Sequence, residues 1–318
     1  MNVLVTGGFG HIGSYVLAEL ARRGHGTRVL TPSLPATRQA AARHPGVEVV
    51  WGNTTDRRMV ARAVAGVDAV IHLAAILPPL ADERPEFARM TNVDGTATVV
   101  AAAQAQPTPP RFVFSSSFDV HGLSQSPPPR RVDDPLVPTN PYAAQKIEAE
   151  GLVRASGLPW CILRLSDVPI LGARRPPAIM FEISPDNRIE TVHVEDVALA
   201  MANAIESDAV WGRVLFIGGG ASCQLTYRDY VTRMLAAMGI GPLPDTAFRA
   251  GAHYPTDWLD TAESQELLCY QRHTFDDITA AVARNSGWKR HAARVFAPLV
   301  RQGLLRLSPY YRAARRSA

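Results

Sequence analysis

The chain has 318 residues, 47% hydrophobic and 19% charged, a balance that supports a sizeable core in one large or two modest globular domains. Its formal charge of +4 rests on scattered arginines that cluster only weakly, at Arg312, Arg315 and Arg316, so a solvated surface with a frayed tail is expected, and no nucleic-acid partner. Cys161, Cys223 and Cys269 lack disulfide or zinc spacing, no apolar run is long enough to span a bilayer, and Val3-Leu4-Val5 follows Met1-Asn2 too closely for a secretory leader, so a cytoplasmic protein without a membrane partner is expected.

Short apolar runs alternating with helix-period segments predict an α/β fold, a doubly wound parallel sheet. The predicted strands are 2–6, 27–31, 47–51, 68–73, 111–115 and 160–165, with helices at 12–23, 57–65, 83–105 and 141–156 between them. Pro127-Pro128-Pro129 predicts an extended surface segment. Beyond 165 the prolines break the rhythm; a helix near 195–206 and a strand near 213–217 follow, and the strand is expected to rejoin the sheet. Helical patterns recur near 226–238, 275–284 and 289–306. The expected division is a dinucleotide-binding domain, 1–165 with 191–217 rejoining it, and a smaller substrate-binding lobe formed by 166–190 and 218–318.

Thr6-Gly7-Gly8-Phe9-Gly10-His11-Ile12-Gly13 joins the first strand to the first helix. Glycines there permit a tight turn and close approach of backbone N–H groups to a pyrophosphate, whose charge the helix N-terminus stabilises. NAD-binding folds usually carry Asp or Glu at the end of the second strand to hold the ribose 2′-hydroxyl; this chain has Thr31. Without that carboxylate both NAD and NADP are admissible, with a lean to NADP, and Arg28 or Arg38 is a candidate to reach a 2′-phosphate.

Tyr142-Ala143-Ala144-Gln145-Lys146 follows Asn140-Pro141, a helix start, and the spacing of four sets Tyr142 and Lys146 on one face. A phenol of pKa near 10 must fall by about three units, roughly 4 kcal/mol, to serve as a base at neutral pH. A unit positive charge about 4 Å away supplies that much at an effective dielectric of about 20, so Lys146 alone is expected to suffice. Ser115-Ser116-Ser117 ends a buried strand at the edge where doubly wound sheets place ligands, and one hydroxyl there can donate to a substrate oxygen.

These motifs, with Asp68–Ala75, Asn92-Val93-Asp94-Gly95-Thr96, SSSFDVHG at 115–122, Thr191–Ala198 and Ile217–Gly220, resemble the extended short-chain dehydrogenase/reductase superfamily, also called the NAD-dependent epimerase/dehydratase family. The resemblance spans nearly the whole chain. It implies that Tyr142 is the acid/base, that Ser117 holds the reacting oxygen, and that Lys146 binds the nicotinamide ribose as well as tuning Tyr142. It implies support of that geometry by Asn92 from the long helix, and a cofactor lined by Leu73, Ala74 and Ala75. Asn53 takes the place of a frequent adenine-contacting Asp, and Phe9, His11, Ile12, Ser115 and Leu165 complete the expected cofactor contacts.

Two departures bear on the substrate. Sugar-nucleotide dehydratases of the family follow their catalytic hydroxyl with an Asp-Glu pair, whereas Phe118-Asp119 stands here. Epimerases carry Asn after the sixth strand and a long nucleotide-gripping insertion; this chain has Asp167 and a short stretch from Arg164 to Val192. An ionised Asp167 would repel a diphosphate, although the residue can instead be a solvated loop group, and Arg174-Arg175 can still meet an anionic substrate. The expected function is an NAD(P)-dependent oxidoreductase acting on a secondary alcohol or ketone; the alternatives are a sugar-nucleotide epimerase and a non-catalytic dinucleotide-sensing protein. His11, His72, His121 and His193 have no metal-ligand spacing, so no metal is expected, and His121 and the five tryptophans are expected to pack. The resemblance also implies a homodimer paired through the helices near 83–105 and 141–156.

Overall fold

A computed structural model describes residues 1–124, 127–172, 178–251 and 254–314. Seven strands form one parallel sheet in the order β3 (Glu48–Trp51), β2 (Gly26–Thr31), β1 (Asn2–Thr6), β4 (Ala69–His72), β5 (Arg111–Ser117), β6 (Trp160–Leu165) and β8 (Arg213–Ile217). This is the doubly wound architecture, and β8 rejoins the sheet beside β6 as expected. A second, antiparallel pair joins β7 (Arg188–Glu190) to β9 (Gln224–Thr226).

Because successive strand residues face opposite ways, each strand feeds two cores. Val3, Val5, Ile71, Val113 and Leu163 pack under α1 (His11–Arg22) and α8 (Val194–Glu206). Leu4, Val70, Phe112, Phe114 and Ile162 pack on the other face, under α3 (Arg57–Val64), α6 (Thr96–Gln104) and α7 (Pro141–Arg154). Beyond the sheet, α9 (Tyr227–Ala237), α11 (Phe275–Ser286), α12 (Trp288–Val295), α13 (Ala297–Leu307) and α14 (Pro309–Ala314) make the C-terminal region helical. A separate cluster there gathers Met180, Phe181, Ile189, Tyr227, Leu235 and Phe248.

Several elements differ from expectation for local reasons. The segment predicted as one helix over 83–105 is preceded by α4 (Leu80–Glu83) and runs through α5 (Pro85–Arg89), a wide-turn π segment (Met90–Gly95) and α6. Pro85 starts a new helix there, and the π segment carries the buried Asn92. The helix predicted over 289–306 breaks at Phe296, before Pro298. α2 (Pro35–Ala42) was not expected: it buries no residue, so it has no apolar period to read. α10 (Ala262–Leu268), a single short stretch, was also unmarked. Residues 127–129 are exposed, as expected, and Cys161 and Cys223 are buried free thiols while Cys269 is exposed. Among the described residues no helix is long and apolar enough to cross a membrane.

Candidate active site

The glycine loop lies where β1 and β4, adjacent in the sheet, send their connections to opposite sides, the switch point at which doubly wound sheets open a crevice. Gly7 has φ +69°, and a Cβ on it would lie 3.0 Å from the Ala74 backbone nitrogen. A Cβ on Gly13 would stand 2.4 Å from the Gly7 carbonyl oxygen, so α1 packs on the loop at backbone distance. The first turn of α1 carries no acidic side chain, which leaves the positive end of the helix dipole unopposed by its own residues.

A cavity of about 1190 Å³ runs from this loop across the carboxyl edge of the sheet. Gly7, Phe9, Gly10, His11, Ile12 and Gly13 line one end, with Thr31 and Asn53 beside them. Leu73, Ala74, Ala75, Ser115 and Leu165 line its middle, and Ser117, Tyr142 and Lys146 the other end. A glycine cradle at one end and a hydroxyl cluster at the other fit an extended dinucleotide. Asn92 is not part of the lining. It sits behind, accepting from Ile76 N–H at 2.7 Å and donating from Nδ2 to the Ile76 carbonyl at 3.0 Å and Gln145 Oε1 at 2.8 Å, thereby tying the loop after β4 to α7.

A buried chain of hydrogen bonds reaches the same loop. Thr96 Oγ1 donates to the Asn92 carbonyl at 2.7 Å, so it accepts from His72 Nε2 at 3.0 Å. His72 Nδ1 therefore accepts from the Thr6 hydroxyl at 2.6 Å, and Thr6 Oγ1 accepts the N–H groups of Leu73 and Ala74. Burial pushes His72 down to about 3, with Lys146 adding to the effect, so the ring is neutral and its tautomer is fixed by its neighbours. Sequence reasoning missed Thr6, Thr96 and Gln145 because their partners lie 24 to 68 residues away.

Asn140 caps α7 by accepting from Ala143 N–H at 2.7 Å, and Pro141 opens the helix that carries Tyr142 and Lys146. The Ser117 hydroxyl hydrogen-bonds Tyr142 and accepts from Asp119 N–H at 3.3 Å. Lys146 Nζ donates to the Ser115 carbonyl at 2.8 Å, and lies 5.8 Å from the centre of the Tyr142 ring. The expected tuning of the phenol by Lys146 is not found. Burial pushes Tyr142 well above the usual phenol range, Asp119 and Asp82 add to it, and only the Ser117 hydrogen bond opposes. Burial also brings the Lys146 ammonium down to about 8, against the pull of Glu150.

Asp119, which no motif had marked as a site residue, lines the cavity beside these groups. Burial, then Asp167, lifts its carboxyl to about 7. Asp167 also lines the cavity and accepts from the Tyr230 hydroxyl at 3.3 Å, which corrects the alternative of a solvated loop residue. Arg28 is not available to a cofactor: it pairs with Glu48 at 2.8 Å and donates to the carbonyls of Ala63 and Ala65, at the middle of β2. Arg38 is exposed, donates to Ser33 at 2.8 Å and lies over Trp51, at the carboxyl edge. Arg174 and Arg175 fall outside the described residues, as do Arg315 and Arg316.

Beneath the catalytic end, Arg164 meets Glu150 through two bonds of 2.9 and 2.7 Å, and Ser116 donates to the same carboxylate at 2.6 Å. His121 joins this network through Arg164 at 2.9 Å; burial and then Arg164 push it down to about 4, a packed neutral ring as expected. His193, Glu195 and His273 gather with ligand-type atoms within 4.8 Å of one another, a grouping the spacing did not suggest. His273 is held by Asp196 at 2.6 Å and stacks on His193, while His193 caps α8. These contacts join α8 to the chain before α11, and the group is outside the cavity lining.

The fold defines a doubly wound, dinucleotide-binding type of protein, and residues 3–179 match the model of the "NAD dependent epimerase/dehydratase family". The chain belongs to that family and is an enzyme of it. It is 30% identical over 333 residues to a dTDP-glucose 4,6-dehydratase of Streptomyces antibioticus, covering 94% of this chain and 95% of that one. It is 31% identical over 274 residues to a 4-hydroxy-2-methyl-3-oxo-4-farnesyl-3,4-dihydroquinoline-1-oxide ketoreductase of Stigmatella aurantiaca, covering 80% and 79%. The solved UDP-glucose 4-epimerase of Thermus thermophilus, a complex with NAD, shares the fold with TM-score 0.75 at 24% identity, covering 90% of this chain and 98% of that one.

Proposed function

We propose that the protein is an NAD(P)-dependent oxidoreductase that reduces a ketone on a largely apolar small molecule to a secondary alcohol. The observation that carries this reading is the cavity beyond Ser117 and Tyr142. Ile179, Met180, Ile183, Val231, Met234 and Met238 line it, and among the described residues no arginine does. Asp119 and Asp167 are the carboxylates there, which suits a substrate without a diphosphate.

The protonation states suit the reductive direction. A phenol pushed upward holds its proton at neutral pH, so Tyr142 acts as an acid, delivering that proton to the oxygen of the substrate as the carbonyl becomes an alcohol. Ser117 donates a hydrogen bond to the same oxygen and lowers the cost of its developing charge. The reduced nicotinamide, when bound, supplies the hydride to the carbonyl carbon. Lys146, fixed on the Ser115 carbonyl, is placed to hold the nicotinamide ribose. Segments 166–190 and 218–318 serve as the substrate lobe, and two copies pair through the helices near 83–105 and 141–156.

Both cofactors are admitted with a lean to NADP, because Thr31 presents no carboxylate and Arg38 stands at that edge beside Ser33. Separate fluorescence titrations check this, and tighter binding of NAD overturns the lean. Loss of reduced-nicotinamide absorbance with apolar ketones tests the reaction. An altered UDP-sugar with no net change in absorbance would show the sugar-nucleotide epimerase instead, a reading favoured by the whole-chain likeness to an epimerase fold.

A further inference from the structure

Charge is unevenly distributed along this chain. Residues 1–287 carry 25 Lys and Arg against 29 Asp and Glu, whereas residues 288–318 carry eight Lys and Arg and no Asp or Glu. The positive excess of the whole protein therefore resides in its last tenth. The described part of that stretch, 288–314, is not frayed: α12, α13 and α14 are docked on the fold. Ala293, Val300, Leu304 and Tyr310 pack on the cluster that contains Tyr227, Leu235 and Phe248, and Ser308 Oγ donates to the Ala247 carbonyl at 2.6 Å.

The other side of the same helices faces solvent with large apolar groups. Trp288, Val295 and Leu299 are 75%, 73% and 67% exposed, and Phe296 and Leu307 are also exposed. Trp288 thus departs from the expectation that the tryptophans pack. Lys289, Arg294, Arg306 and Arg312 are exposed among them. Among the described residues none of these four cations, nor Arg290 or Arg301, forms an ion pair, although Arg22, Arg23, Arg89, Arg111, Arg213 and Arg228 elsewhere do.

We propose that Trp288–Ala314 is a membrane-docking element that lays its exposed apolar side chains into the headgroup region of an anionic lipid bilayer while its cations meet the lipid phosphates. A basic helical surface bearing Trp, Phe and Leu matches that interface on both counts. A second copy of the chain fits poorly, because a two-fold contact through this face sets cations against cations with no carboxylate between them. Nucleic acid would satisfy the cations and leave Val295, Phe296 and Leu299 without a role. Docking of this kind is independent of the reaction that the cavity performs. It revises the expectation of no membrane partner without requiring a spanning helix. The docked side of the element packs on the cluster whose Tyr227, Val231 and Leu235 also line the cavity, so docking would bring the apolar wall of the site near the bilayer.

The test is co-sedimentation of the full chain with vesicles of phosphatidylcholine alone or mixed with phosphatidylglycerol. The expected result is binding to the mixed vesicles, little to the neutral ones, and a loss of about tenfold or more as salt is raised. Arg294→Gln with Arg306→Gln should weaken partitioning roughly thirtyfold, and Phe296→Ser with Leu299→Ser should abolish it, while cofactor binding and melting temperature stay unchanged. No binding by the unaltered protein, binding indifferent to lipid charge and salt, tighter binding to duplex DNA than to vesicles, or a dimer that these variants dissociate would each overturn the proposal.

Discussion

On the sheet side of the cavity the buried polar groups are held by named partners: Asn92 by Ile76 and Gln145, His72 by Thr6 and Thr96, Lys146 by Ser115, Glu150 by Arg164 and Ser116. On the lobe side the wall is largely apolar and rich in methionine, with Met180, Met234 and Met238, and its polar exceptions among the described residues are Ser166, Asp167, Tyr227, Tyr230, Tyr254 and Thr256. One wall holds its polar groups through directional bonds. The other excludes water and adapts its shape through unbranched side chains. The contrast separates chemistry, which needs fixed geometry, from substrate choice, which needs volume and charge.

The sharpest way to break this contrast is Tyr142→Phe, which removes the proton donor and leaves the packing. Reductive turnover should fall roughly 10²- to 10⁴-fold with cofactor affinity retained, and full turnover would sink the acid role. Glu150→Ala strips a buried arginine of its partner and should cost about 3–5 kcal/mol in denaturant unfolding. The double change Glu150→Met with Arg164→Leu should recover much of that loss, because no charge is then left unpaired. Asn92→Leu leaves the Ile76 N–H and Gln145 without their partner and should cost about 1–3 kcal/mol, seen as lower stability together with a raised KM for cofactor.

Asp119→Asn has a smaller effect with a pH signature. With its carboxyl lifted to about 7, Asp119 ionises as pH rises through neutrality and places a negative charge beside Tyr142 and the developing oxyanion. Reductive kcat/KM should therefore decline above about pH 7 in the unaltered protein, and the variant should lose that limb. The folded pKa lies above the ordinary 3.8, so the stability Asp119 contributes is full below that value and is lost as pH rises through about 7. Relative to the unaltered protein, the variant should melt higher at alkaline than at acidic pH. Smallest of all, Met234→Ala on the adaptable wall should raise KM for an apolar ketone by about tenfold or less and leave kcat near its starting value.

Much of the sheet side was legible beforehand. The strands, the glycine loop, the α7 start at Asn140-Pro141 and the Tyr142-Lys146 face are written in short-range periods and spacings, and all the expected cofactor contacts line one cavity. The π segment was hidden because a helical pattern does not show where one extra residue widens a turn. On the lobe side the helices near 226–238 and 275–284 were legible as α9 and α11, whereas β7 and β9, three residues each, were not, because Arg188 pairs with Thr226 and Glu190 with Gln224 far along the chain.

Local chemistry, then, is what the amino-acid order determined unaided: a doubly wound sheet, a phosphate-type loop, a phenol and an amine on one helix face, and a final stretch free of carboxylates. Only the folded chain decided that burial pushes the phenol upward, that Arg28 is consumed by Glu48 while Arg38 stands at the open edge, and that Trp288 and Leu299 face water. The reason is that desolvation and ion pairing depend on which distant groups come together, and neither composition nor spacing records that distance.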